Sequence, residues 1–196
     1  MPMTDETGSS PWNIPPISTS TPPVASSSAY HARSDAVAAP RPRRPLTART
    51  SERPDRIEPF VWVGTHGGAG ATSLQRSTGS GLDLSQRWPD PALGWSSSVV
   101  LVCRSNGAGL DAMGRLLQEW VSRSVPDLRV LAAVVVDDAP SKRSRRVRAR
   151  VSELRSVAPQ VLTLPWIEAW RDNPYTPHPA AGGIADAVRS TLSNDL

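Results

Sequence analysis

From residue 57 onward the chain alternates short apolar runs with stretches whose apolar residues recur every three or four positions. Phe60 to Val63 is one such run, followed by Ser98 to Cys103, Arg129 to Val136 and Gln160 to Leu164. Runs continuous in apolar character are those of strands buried on both faces, as in a parallel sheet. Between them the period changes. Leu110, Met113, Leu116, Leu117, Trp120 and Val121 fall on one helical face. Val147, Val151 and Leu154 predict a second helix over 142–157, and Ile184, Val188 and Leu192 a third over 182–193. Residues 71–78 predict a short helix, which Gly79 and Gly81 bring to an end. Residues 82–97, with Pro89, Pro91 and Gly94, read as a loop anchored by Trp88 and Trp95. Strand–helix alternation at these lengths predicts an α/β fold, a small, mostly parallel sheet with helices on both faces.

Composition divides the chain in two. Residues 1–56 hold ten prolines and fifteen Ser or Thr with few large apolar side chains, too few to offset the entropy of ordering them. A disordered tail over 1–56 and one domain over 57–196 are therefore expected. The net charge of +4 is also uneven. Residues 141–155 carry Lys142 and six arginines against Glu153 alone, and the tail adds a basic patch at Arg41-Pro42-Arg43-Arg44. The single cysteine, Cys103, excludes an intramolecular disulfide. Apolar stretches are too short for a signal peptide or a membrane span, so a cytoplasmic protein without membrane insertion is expected.

The strongest chemical signal follows the first apolar run. Gly64-Thr65-His66-Gly67-Gly68-Ala69-Gly70-Ala71-Thr72-Ser73 is a glycine loop leading into a helix. Such loops bind phosphate because glycines let backbone N–H groups converge, while the helix presents its positive N-terminus. The residue before the Ser/Thr is ordinarily lysine, whose ammonium contacts the terminal phosphates. Here it is Ala71, and the only lysine in the chain, Lys142, lies far downstream. Gly67, Gly68, Gly70, Ala71, Thr72 and Ser73 are thus candidate nucleotide-binding positions whose charge is missing. An unperturbed imidazole is mostly neutral at pH 7, so His66, at the opposite end of the loop, is a poor replacement.

Val61-Trp62-Val63 followed by His66 to Ser73 resembles the deviant P-loop of the ParA/MinD ATPases, and more closely their pilus-assembly and septum-site relatives of the CpaE/TadZ type, whose loops are often degenerate. The two lysines of that family fall at His66 and Ala71, and both are absent. The likeness covers residues 60–170, though only the loop is specific. It implies a P-loop-NTPase-like fold, ATP or GTP with Mg²⁺ as the ligand that would bind, and work through a protein partner or self-association. The chain is also similar to a family of short bacterial proteins with a Gly-Gly-Ala-Gly loop and a Leu-Pro-Trp segment, here Leu164-Pro165-Trp166. A ParA-like ATPase has a longer interval between loop and next strand, holding its metal-coordinating Asp. Either that section is deleted here, or the strand ending Val136-Asp137-Asp138 supplies it. Under the second alternative Thr72 and Asp138 would be the Mg²⁺ ligands.

Two further groups complete the inventory. Lys142, Arg145 and Arg146 point away from the Val147/Val151/Leu154 stripe and are candidate contacts to nucleic-acid phosphates. Trp166 and Trp170, four apart after a strand end, form a candidate partner surface. The expectation is a non-hydrolysing accessory or regulatory protein, not an enzyme, with mobile-element maintenance and envelope assembly as the contexts the resemblance suggests. The alternative is a nucleic-acid-binding protein that uses the arginine-rich helix.

Overall fold

The computed structural model describes residues 47–125 and 127–194, so most of the expected tail, with its Arg41–Arg44 patch, lies outside the described residues. Five strands form one all-parallel sheet in the order β2-β1-β3-β4-β5. In chain order these are β1 (Val61–Gly64), β2 (Leu82–Asp83), β3 (Ser98–Arg104), β4 (Arg129–Val136) and β5 (Val161–Leu164). The helices are α1 (Ala71–Thr78), α2 (Gly107–Val121), α3 (Arg145–Leu154) and α4 (Pro179–Ser193). The sheet, the four helices and their assignment to segments follow the apolar pattern.

Side-chain alternation explains why the strands read as continuous apolar runs. In β3, Val99, Leu101 and Cys103 face α2 and α3, where they meet Leu110, Met113, Leu117, Val151 and Leu154. Val100 and Val102 face the other way, onto Leu74 of α1 and Ile184 and Val188 of α4. Both faces are covered, so neither parity can be polar.

Three local differences from the sequence reading have simple causes. The segment 82–97 contains a fifth strand, β2, beside β1; two paired residues are too few to leave a period. Helix α3 begins at Arg145 with Ser144 as its cap, whose hydroxyl accepts from the Val147 N–H, so Lys142 lies before the helix. Residues 47–56, counted with the tail on composition, include a segment bound to the domain. Arg49 bridges to Trp88, the Thr50 N–H donates to the Trp88 carbonyl at 2.9 Å, and Arg49 pairs with Asp90 and Asp127.

The strand order changes direction between β1 and β3. In open α/β sheets that switch point, at the carboxyl ends of the strands, is where ligands bind. The glycine loop leaves β1 there. Among the described residues, no helix is long and apolar enough to cross a membrane.

Candidate functional site

The loop is built by two glycines with left-handed backbone. Gly68 has φ +75°, and Gly70, the residue capping α1, has φ +102°. Gly70 provides no side-chain cap, so the first N–H groups of α1 are left for water or a ligand. Gly67 to Ser73, all the candidate nucleotide positions, line one cleft of about 280 Å³ together with Asp83 and Arg104.

Two residues that sequence reasoning did not single out give this cleft its charge. Arg104 ends β3. Its Nε donates to the Gly68 carbonyl at 3.1 Å and its Nη1 to the Asp137 carbonyl at 3.2 Å. Both bonds go to neutral carbonyls, so the positive charge beside the loop is not cancelled by them. Ala71 and this cation, delivered from another strand, line the same cleft. Asp83 ends β2, and its two oxygens accept from the Thr72 hydroxyl and from the Ser85 N–H at 2.7 Å.

His66 joins the loop to β3 through both of its ring nitrogens. The Arg104 backbone N–H, which can only donate, reaches His66 Nε2 at 3.1 Å. The proton must then sit on Nδ1, which donates to the Gly67 carbonyl at 2.8 Å. His66 is a brace between loop and β3. The approach is close enough that a Cβ on Gly109 of α2 would lie 2.9 Å from His66 Nε2 and would also strike the Arg104 carbonyl.

The candidate Mg²⁺ pair divides differently in space. Asp138 is engaged elsewhere, accepting from Asn106 Nδ2 at 3.2 Å while its N–H donates to the Ser105 hydroxyl at 3.1 Å. It does not line the loop cleft, and β3 separates its strand from β1. Thr72 meets Asp83 instead. A hydroxyl and a carboxylate side by side at the cleft are a donor set that fits Mg²⁺, which takes few protein oxygens and keeps several waters. No cluster of three His, Cys, Asp or Glu suited to a metal occurs among the described residues.

Trp166 and Trp170 do come together, though not on one helical face. Trp166 precedes a short 3-10 turn, Glu168–Arg171, that carries Trp170. Both line a chamber of about 190 Å³ with Ser73, Arg104, Pro165 and Ile167. The indoles are fixed by hydrogen bonds, Trp166 Nε1 to Glu168 at 2.6 Å and Trp170 Nε1 to the Thr176 carbonyl at 2.9 Å. The Trp166 bond, with help from Arg171, holds the Glu168 carboxyl below its ordinary pKa. Ser73 and Arg104 border both the loop cleft and this chamber, which makes the two neighbours across one arginine.

The basic segment is more divided than its composition implies. Arg150 pairs with Asp111 of α2, whose carboxyl is held below its ordinary pKa by that hydrogen bond and then by Arg150, Arg115 and Arg146. Arg145 and Arg146 are exposed on α3. Lys142 belongs to a separate cleft with Arg143, Arg148 and Arg155.

The sequence carried a faint signal for both missed residues. A charged residue ending an apolar strand, as in Val102-Cys103-Arg104, lands at the functional rim of a parallel sheet. Asp83 between Leu82 and Leu84 has the alternation of an edge strand, over too short a length to be read.

Neither curated proteins nor solved structures gave a match to the chain. One family model matches residues 59–192, a span that takes in β1 through nearly all of α4 and every residue of the loop cleft and the tryptophan chamber. That span is well over half of the chain, which therefore belongs to DUF6668, a family of unknown function.

Proposed function

We propose that this protein is a non-hydrolysing, P-loop-like nucleotide binder that acts on a partner through occupancy of its site rather than through turnover. The observation that carries this reading is the Arg104 side chain laid against the Gly68 carbonyl, which returns a cation to a loop that lacks its lysine. Phosphates occupy the backbone cradle of Gly67 to Ser73, with Arg104 on one side. Thr72 and Asp83 are the residues that would hold Mg²⁺, which would offset phosphate charge there. The tryptophan chamber offers aromatic faces on which a base stacks. Hydrolysis needs a further group that orients or deprotonates the attacking water. Asp83 accepts from Thr72 and His66 braces Arg104, so neither is an unengaged base at the cleft.

The test is calorimetric titration with ATP and GTP in the presence of Mg²⁺. The wild type is expected to bind without releasing phosphate above the buffer rate. Arg104→Ala should weaken binding by roughly tenfold or more, since hydrogen bonds to charged groups contribute about 1.5–3 kcal/mol. If the wild type is silent while Ala71→Lys binds, the arginine does not replace the lysine and the reading fails.

A further inference from the structure

The tryptophan chamber ends at Asp137 and Pro165, and a third cleft begins at the same two residues. It has a volume of about 600 Å³ and lies beside α3 and β5, lined by Lys142, Arg143, Arg148, Arg155 and Thr163 among others. The loop cleft, the chamber and this basic cleft therefore follow one another along the carboxyl ends of β1, β3, β4 and β5. Three interstrand spacings of about 4.8 Å make the run roughly 14 Å long, more than one phosphate group can bridge.

Charge in the third cleft is unbalanced. Its one carboxylate, Asp137, is taken by Arg143. Arg148 spends one N–H on the Arg143 carbonyl at 3.2 Å. Lys142 and Arg155 have no ion-pair partner among the described residues. Like charges gathered around a concavity repel one another and focus the field on an incoming anion. The edge of α3 toward α2 differs, because Asp111 of α2 pairs with Arg150 there and lies near Arg146.

We infer that the full ligand of this groove is a single-stranded nucleic acid whose 5′-terminal phosphate enters the glycine loop. The first base then stacks in the chamber of Trp166 and Trp170, and the next phosphodiesters lie on Lys142, Arg148 and Arg155. A base can enter such a chamber only when it is free of a duplex, and a mononucleotide would leave the basic cleft unfilled. This inference rests on the proposed phosphate site in the loop.

The experiment measures anisotropy of 3′-labelled tetranucleotides, dT4 and rU4, with either a 5′-phosphate or a 5′-hydroxyl. The full-length wild type is compared with Lys142→Ala/Arg148→Ala/Arg155→Ala and with Arg145→Ala/Arg146→Ala. The 5′-phosphorylated strand is expected to bind at least tenfold tighter than the 5′-hydroxyl strand and to be displaced by ATP. The triple variant should lose at least tenfold for the tetranucleotide and under twofold for ATP, while the double variant stays within twofold for both. Preference between dT4 and rU4 then identifies which nucleic acid is the source. Three results would overturn the inference while leaving the nucleotide reading intact: ATP binding with no added affinity for the strand, equal losses in the two variants, or a duplex that binds as well as the strand. Indifference to the 5′-phosphate together with silence toward ATP would remove both.

Discussion

The Thr72 hydroxyl donates to the Asp83 carboxylate, tying the first turn of α1 to the end of the outermost strand, β2. The two residues are eleven apart in sequence and meet because β2 returns alongside β1, where the Gly64 N–H donates to the Ser85 carbonyl at 2.6 Å. The short interval after the loop, which leaves no room for a long switch segment, thus still places a carboxylate beside the loop hydroxyl.

If Thr72 and Asp83 hold Mg²⁺ for a phosphate ligand, the metal should matter only while both oxygens are present. Titration of ATP with and without Mg²⁺ is expected to show tighter binding with the metal in the wild type. Asp83→Asn should bind equally with and without it, because its amide oxygen still accepts from the Ser85 N–H but no longer carries charge. A metal effect that survives Asp83→Asn would place the ion elsewhere.

The fold was legible because burial on both faces leaves a strong mark. Val99 to Cys103 and Val130 to Val136 are apolar at every position, and Leu110/Met113/Leu117 keep helical spacing. The site was half legible. Gly67 to Ser73 announce themselves by local backbone demands, whereas Arg104 and Asp83 reach the loop through sheet order. No spacing along the chain encodes that β3 and β2 flank β1. The meeting of Trp166 and Trp170 was readable as proximity and not as geometry, since Pro165 and the 3-10 turn replace the regular helix that four-residue spacing implies.

Close approach of α2 to the loop makes Gly109 a sensitive position. An added methyl there meets the Arg104 carbonyl, which is backbone, and His66 Nε2, which withdraws only by giving up its bond from the Arg104 N–H. Gly109→Ala should cost about 1–3 kcal/mol, the usual range for overpacking. Gly114→Ala on the same helix meets nothing within 4 Å and should stabilise by roughly 0.5–1 kcal/mol through helix propensity. Urea unfolding of the two variants checks the contrast. A Gly109→Ala protein as stable as wild type would mean the brace is loose.

Cys103 makes a prediction about reactivity and alkaline pH. Burial pushes its thiol from an ordinary 9.0 up to about 12, against a smaller opposing influence of Arg143. Only the thiolate reacts, so the native protein should resist a disulfide reagent at pH 8 and react fully once unfolded. The raised value also sets a sign. Between pH 9 and about 12 the unfolded thiol has lost its proton while the native one keeps it. Its contribution to stability is complete below pH 9 and is lost as pH rises through that window. Cys103→Ala should flatten the alkaline fall in stability measured by urea titration, and an unchanged slope would assign the fall to other groups.

Trp88 and Glu119 form a buried polar pair. Trp88 is fully buried, its Nε1 donates to Glu119 Oε2 at 2.8 Å, and Glu119 Oε1 has no hydrogen-bond partner among the described residues. The same tryptophan receives the segment at 48–50 through its backbone, so this pair fastens the loop of residues 84–95 and the start of the described chain onto α2. Glu119→Ala would strand the indole N–H and open a cavity, and should cost about 2–4 kcal/mol. Glu119→Gln retains an acceptor for Trp88 and should cost under about 1 kcal/mol. The distinguishing readout is local: limited proteolysis is expected to cut near residues 49–56 sooner in Glu119→Ala than in wild type or Glu119→Gln. Equal protection in all three proteins would mean that Arg49, through Asp90 and Asp127, fastens the segment without help from the tryptophan.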